Sequence, residues 1–157
     1  MTIFTIGYEG ASLEELIERL RRGGVGVVID VRDVPLSRKR GFSKVALSAA
    51  LESAGLRYRH FRDLGCPKPI RDRYRVDGDW GRYTAAFMRH LNKQGAAVDA
   101  VAHLCKSSSV ALLCYESDPR QCHRTYVARA AARVSGAHVS HINANGSIRD
   151  QVAAVAA

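Results

Sequence analysis

Apolar residues recur along this chain with two periods, and the alternation between them predicts strands separated by helices. Ile3 to Ile6 is a short apolar run suited to a strand. Ser12 and Glu15 then form a capping box for a helix whose apolar members are Leu13, Leu16, Ile17 and Leu20. Gly23-Gly24 ends that helix, and the β-branched run Val25 to Val31 predicts a strand buried on both faces. Ser43 is placed to cap a second helix through Leu47, Ala50, Leu51 and Ala54, with Gly55 at its end. In Leu56 to Phe61, Arg57 and Arg59 alternate with less polar neighbours, as in a strand with one face near water or ligand.

From Asp63 to about Gly81 the breakers Gly65, Pro67, Pro69 and Gly78, set among many charges, predict a long irregular excursion. Helical spacing resumes through Tyr83, Phe87 and Leu91, then through Val98, Val101 and Cys105, divided at Gly95. Val110 to Cys114 is the next strand. Asp118 as N-cap and Pro119 at the first position predict a helix running through Tyr126, Val127, Ala130, Ala131 and Val134 to Gly136. His138 to Ile142 predicts a last strand, and Ser147 to Ala157 a terminal helix.

This order predicts one α/β domain over residues 1–157, a mostly parallel β-sheet with helices on both faces. In open sheets of this kind ligands bind beyond the carboxyl ends of the strands. Gly7-Tyr8-Glu9-Gly10, Asp30-Val31-Arg32, His60-Phe61-Arg62-Asp63, Cys114 to Arg124 and His141-Ile142-Asn143 each follow a predicted strand, so all are expected at one edge.

The segment from Cys114 to Arg124 concentrates reactive and ionisable side chains in one strand-to-helix turn. Cations at the positive end of a helix are disfavoured unless an anion sits there, so Arg120 and Arg124 point to an anion site. Cys122, beside His123 and those arginines, is placed to have a lowered thiol pKa and is the stronger reactive candidate, read either so or as a buried first-turn cysteine without catalytic duty. Cys114 and Arg120 have the C-x5-R spacing of tyrosine phosphatases, but Leu113 precedes the cysteine and no glycine lies between, so packing is the better reading of Cys114. Glu116 suits acid/base work, with His60, His138 and His141 as partners or as structural histidines. Asp30 and Arg32 are read either as site residues or as a structural ion pair, and the loop carrying Arg32, Ser37, Arg38, Lys39, Arg40, Phe42 and Lys44 as a phosphate cradle or a solvated charge run. The candidate catalytic set is Glu116, Cys122, His123 and Asp30; the candidate anion- and substrate-binding set is Tyr8, Arg32, Ser37, Arg38, Phe42, Arg120 and Arg124. Adjacent Cys-His on a helix would diverge, and no CxxC spacing occurs, so no metal or other cofactor is expected.

A net charge of +9, from 24 Lys and Arg against 15 Asp and Glu, favours an anionic partner, a small molecule or a nucleic acid. Arginines from Arg57 to Arg82, interleaved with Tyr58, Phe61, Tyr74, Trp80 and Tyr83, fit base stacking and phosphate neutralisation, although Asp63, Asp72, Asp77 and Asp79 dilute them and no DNA- or RNA-binding signature accompanies them. Two readings therefore stand: an enzyme acting on a phosphorylated or nucleotide-like substrate, and a non-catalytic nucleic-acid-binding module. The N-terminus lacks a signal-peptide pattern, no apolar run approaches a membrane span, and the four cysteines are read as free thiols, so a cytoplasmic protein with no membrane partner is expected.

Thr5-Ile6-Gly7-Tyr8-Glu9-Gly10, Asp30-Val31-Arg32 with Pro35, Ser37-Arg38 and Gly41-Phe42-Ser43-Lys44, and Leu113-Cys114-x-Glu116-x-Asp118-Pro119-x-x-Cys122-His123-Arg124 together resemble the bacterial family called domain of unknown function 488. The likeness spans nearly the whole chain and rests on several motifs in the right order. Leu64-Gly65-Cys66 departs from the Leu-Gly-Gly common in that family. The resemblance implies a small α/β protein with these motifs clustered, and it implies no reaction.

Overall fold

The computed structural model describes residues 1–152. Its strands are β1 (Thr2–Gly7), β2 (Val27–Asp30), β3 (Arg57–His60), β4 (Val110–Cys114), β5 (His138–Asn143) and β6 (Gly146–Arg149). Its helices are α1 (Leu13–Arg22), α2 (Lys44–Ser53), α3 (Lys68–Asp77), α4 (Trp80–Leu91), α5 (Gly95–Ser107) and α6 (Arg124–Ser135). The sheet runs in the order β3-β2-β4-β1-β5-β6; every neighbouring pair is parallel except β5 with β6.

Side chains on a strand alternate between its two faces, and here each face finds its own helix layer. Ile3, Val27, Ile29, Val110 and Leu112 pack with Phe87, Val101, Val127 and Ala131 of α4, α5 and α6. Ile6, Val28, Ala111 and Leu113 pack with Leu16 and Leu20 of α1 and Leu47 and Leu51 of α2. One sheet shared by two cores makes a single α/β domain. Its longest fully buried strand, β4, has helices on both sides, which is why Val-Ala-Leu-Leu-Cys shows no polar alternation.

Three expected elements differ. The excursion after Asp63 contains a full helix, α3, whose start at Pro67 and Pro69 uses proline where its missing N–H costs nothing. None of its residues is fully buried: Ile70 and Tyr74 pack partly covered against the core, and i,i+4 pairs such as Lys68–Asp72 and Arg73–Asp77 line its outer surface. The helix expected from Asp118 is only a 3₁₀ turn, Pro119–Gln121, after which Cys122 is extended (φ −142°, ψ 139°) and α6 begins at Arg124. Ser147–Arg149 of the expected terminal helix belongs to β6, turned back on β5 through Ala144-Asn145; the part of that stretch beyond residue 152 lies outside the described residues. Ser43 precedes α2 but makes no side-chain cap: its hydroxyl accepts from Ser37 N–H at 3.0 Å and ties the preceding loop together.

Register brings the site together. Gly7 of β1 lies opposite Cys114 of β4, and Asp30 of β2 opposite Leu113, so three strands end at one level. Gly7 is required there, since a Cβ would run into the carbonyl oxygen of Glu116. No helix among the described residues is long and apolar enough to cross a membrane.

Candidate functional site

Beyond the ends of β1, β2 and β4 opens a cavity of about 730 Å³, a size ordinary for a small-molecule site. Tyr8, Arg32, Ser37, Arg38, Glu116 and His123 of the expected set line it. So do Lys39, Cys66, Arg71, Tyr74, Arg75, Trp80, Tyr83, Cys114 and Tyr115. The excursion after Asp63 therefore supplies a wall of the cavity, with Trp80 stacked on Tyr83 at 4.6 Å and Tyr74 set edge-on to Trp80.

The reactive groups converge at the turn after β4. Cys114 Sγ and Cys122 Sγ each stand 3.9 Å from His123 Nδ1, and Cys114 donates toward Glu116 Oε2 at 3.6 Å. His123 Nε2 lies 2.7 Å from the Val31 carbonyl. A carbonyl only accepts, so Nε2 carries the proton and Nδ1 faces the two sulfurs. The break at Cys122 makes this possible: were α6 to start at Asp118, Cys122 and His123 would project about 100° apart.

Burial pushes the Glu116 carboxyl up to about 7, and the negative charge of Cys122 adds to it. Burial also opposes a charged Cys122, yet hydrogen bonds from Cys114 and His123 and the charges of His123 and Arg124 hold its thiol well below the usual range. Cys114 moves the opposite way, raised by its contact with Cys122 and by burial. Burial alone would lower His123; contact with the Cys122 sulfur raises it. Cys66, raised to about 11 by burial, stays a neutral thiol; among the described residues only glycines have positive φ, so Cys66 needs no glycine-like backbone.

Asp30 does not reach the cavity wall. It is fully buried and takes Arg32 Nε at 2.9 Å on Oδ1, Arg32 Nη2 at 2.7 Å on Oδ2 and the Tyr58 hydroxyl at 2.5 Å on Oδ2. Arg32 Nη1 donates to the Phe42 carbonyl at 2.7 Å and to Tyr8 Oη at 3.2 Å. Of five N–H groups on Arg32 one is left for a ligand, so this arginine chiefly fixes Tyr8 and the loop. Phe42 is buried and stacked on Tyr8 at 4.6 Å, contributing a core surface and a carbonyl, not a wall. Arg120 points away, 85% exposed and paired with Asp118 at 3.1 Å, so the Cys114-to-Arg120 spacing does not form a phosphate loop. Arg124 is buried behind the turn, where it donates to the carbonyls of Glu116 and Ser117, and its Nε has no partner. It braces the turn from beneath.

Arg38 and Lys39, by contrast, have no carboxylate partner among the described residues. The basic stretch after β3 is largely neutralised: Arg62 and Arg71 pair with Asp33, Lys68 and Arg75 with Asp72, Arg73 and Arg82 with Asp77. His60 Nε2 donates to the Arg32 carbonyl at 2.8 Å, and the segment His141–Asn143 lies outside the cavity, with His141 Nδ1 2.7 Å from Thr5 Oγ1. Cys114 and Lys39 were thus underrated by sequence. Register with Gly7 and the loop after β2 are the signals that place them.

Residues 12–131 match the family model described as Domain of unknown function DUF488. No curated protein and no solved structure matches the chain.

Proposed function

This chain belongs to the DUF488 family, and from that premise we propose that it is an enzyme acting on a phosphorylated, nucleotide-like substrate held at the carboxyl ends of β1, β2 and β4. One observation carries the reading: cations without carboxylate partners, Arg38 and Lys39, line the same cavity as the thiol, imidazole and carboxyl groups of Cys114, His123 and Glu116. Arg38, Lys39 and the Ser37 hydroxyl hold the anionic group, as charge-assisted donors do best in a partly enclosed site. Tyr74 and Trp80 offer faces for a planar ring, which is what favours a nucleotide over a simple phosphate ester. Glu116 exchanges a proton with the substrate, with Asp30 and Arg32 acting at one remove by fixing Tyr8.

Trp80 is the only tryptophan in the chain, so its fluorescence reports occupancy of the cavity. Titration with a nucleoside monophosphate, chelator present throughout, is expected to change Trp80 emission saturably, with the titration midpoint shifted about 10-fold to higher concentration in the Arg38→Ala/Lys39→Ala variant. No response to nucleotide, together with steeply salt-dependent binding of a single-stranded oligonucleotide, would replace this reading with the nucleic-acid-binding module.

A further inference from the structure

We infer that Cys114, Cys122 and His123 form a site for zinc or a comparably thiophilic divalent metal, with one coordination position facing the cavity. Among the described residues, the donor atoms of these three all lie within 4.8 Å of one another. In tetrahedral zinc, with Zn–S near ~2.3 Å and Zn–N near ~2.0 Å, a sulfur and a nitrogen ligand are ~3.6 Å apart. Both sulfurs already stand 3.9 Å from His123 Nδ1. Ligation therefore asks each sulfur–nitrogen pair to close by a few tenths of an ångström, and the two sulfurs, within 4.8 Å of one another, to meet at ~3.8 Å, within the reach of side-chain rotation.

The backbone explains why neighbours in sequence converge. Cys122 is extended whereas His123 is helical (φ −63°, ψ −24°), which turns the two side chains toward one point. Cys114 comes from a different element, the end of β4, so sheet and helix together hold the set. The ring is also held in place: His123 donates its Nε2 proton to the Val31 carbonyl at 2.7 Å, which orients it and leaves the Nδ1 lone pair toward the sulfurs. Two thiolates balance the charge of a divalent ion, so the buried site gains no uncompensated charge. Thiolate and imidazole donors select zinc over magnesium or calcium.

Three protein ligands with an accessible fourth position are the arrangement of catalytic zinc; structural sites are closed by four. Cys114 and His123 line the cavity, and Cys122 lies behind them. Glu116 reaches Cys114 at 3.6 Å but stands outside the three-donor group, on the cavity side, as proton acceptor for whatever fills the open place. The inference concerns the same cavity as the proposed substrate but does not depend on an anionic ligand.

The test is metal binding by the full chain under reducing conditions. The expected result is one equivalent of zinc retained after dialysis, and cobalt substitution giving a sulfur-to-metal charge-transfer band with the intense visible bands of tetrahedral geometry. Cys114→Ser, Cys122→Ser and His123→Asn should each lose stoichiometric zinc, while Cys105→Ser, in α5, keeps it. If the ligand variants fail to fold, as circular dichroism would reveal, the cobalt spectrum of the unaltered protein decides. No zinc retained and no charge-transfer band overturns the site, as does full retention in folded Cys114→Ser/Cys122→Ser. Nucleotide titration in chelator reads the substrate proposal separately, so either can fail alone.

Discussion

Asp30 and Glu116 are two buried or largely buried carboxyls at the ends of adjacent strands, and their surroundings have almost nothing in common. Asp30 receives the Nε–Nη2 edge of the Arg32 guanidinium, the Arg32 backbone N–H at 3.1 Å and the Tyr58 hydroxyl. Glu116 has no ion pair among the described residues; its side chain meets a thiol at the cavity. The first carboxylate is saturated by partners and so holds the loop after β2 in shape. The second is held in a poorly solvated place with its oxygens open to a ligand. Position at the carboxyl edge of the sheet makes a residue a candidate, and the hydrogen-bond inventory decides which candidate is free to act.

That contrast can be broken at Asp30 first. Asp30→Asn leaves Arg32 buried without its counter-charge and should cost about 3–5 kcal/mol, read from urea denaturation midpoints. Tyr58→Phe removes one hydrogen bond to the same carboxylate and should cost about 1.5 kcal/mol in the same assay. Arg38→Ala with Lys39→Ala should weaken nucleoside monophosphate binding about 10-fold, or about 1.4 kcal/mol, without the loss of stability seen at Asp30. Glu116→Gln sharpens the comparison from the other side: with no ion pair to break, stability should stay within about 1 kcal/mol of the parent. If it fell as far as Asp30→Asn, Glu116 would be structural too. Arg120→Ala, at a solvent-exposed ion pair, should leave both denaturation midpoint and nucleotide binding unchanged.

The parts of the fold legible in sequence are those where burial writes a period. The Ser12–Glu15 capping box is formed as read, with Glu15 N–H to Ser12 Oγ at 3.1 Å and the reciprocal bond also at 3.1 Å. β4 and the apolar stripes of α1 and α4 announce themselves because each faces a core. α3 meets the core only through the partly buried Ile70 and Tyr74, too narrow an apolar stripe to outweigh Pro67 and Pro69, which read as breakers. At the site, the convergence of the segments after β1, β2 and β4 follows from strand order alone. What sequence could not separate was Arg38, left without a carboxylate, from Arg124, buried to brace a turn, since both are arginines beside a predicted helix start. The approach of Cys122 and His123 to Cys114 likewise turns on the extended break at Cys122, which no periodicity marks.

One edge of the sheet has a bearing on how copies of this chain meet. β3 is the outermost strand on its side, and Arg57 and Arg59 are exposed along it, with Arg57 donating to Ser108 Oγ at 2.6 Å and Arg59 lying over the Phe61 ring. Two molecules trying to lengthen the sheet by joining these borders would set guanidinium against guanidinium, so the chain carries its own deterrent to stacking into fibrils at that border.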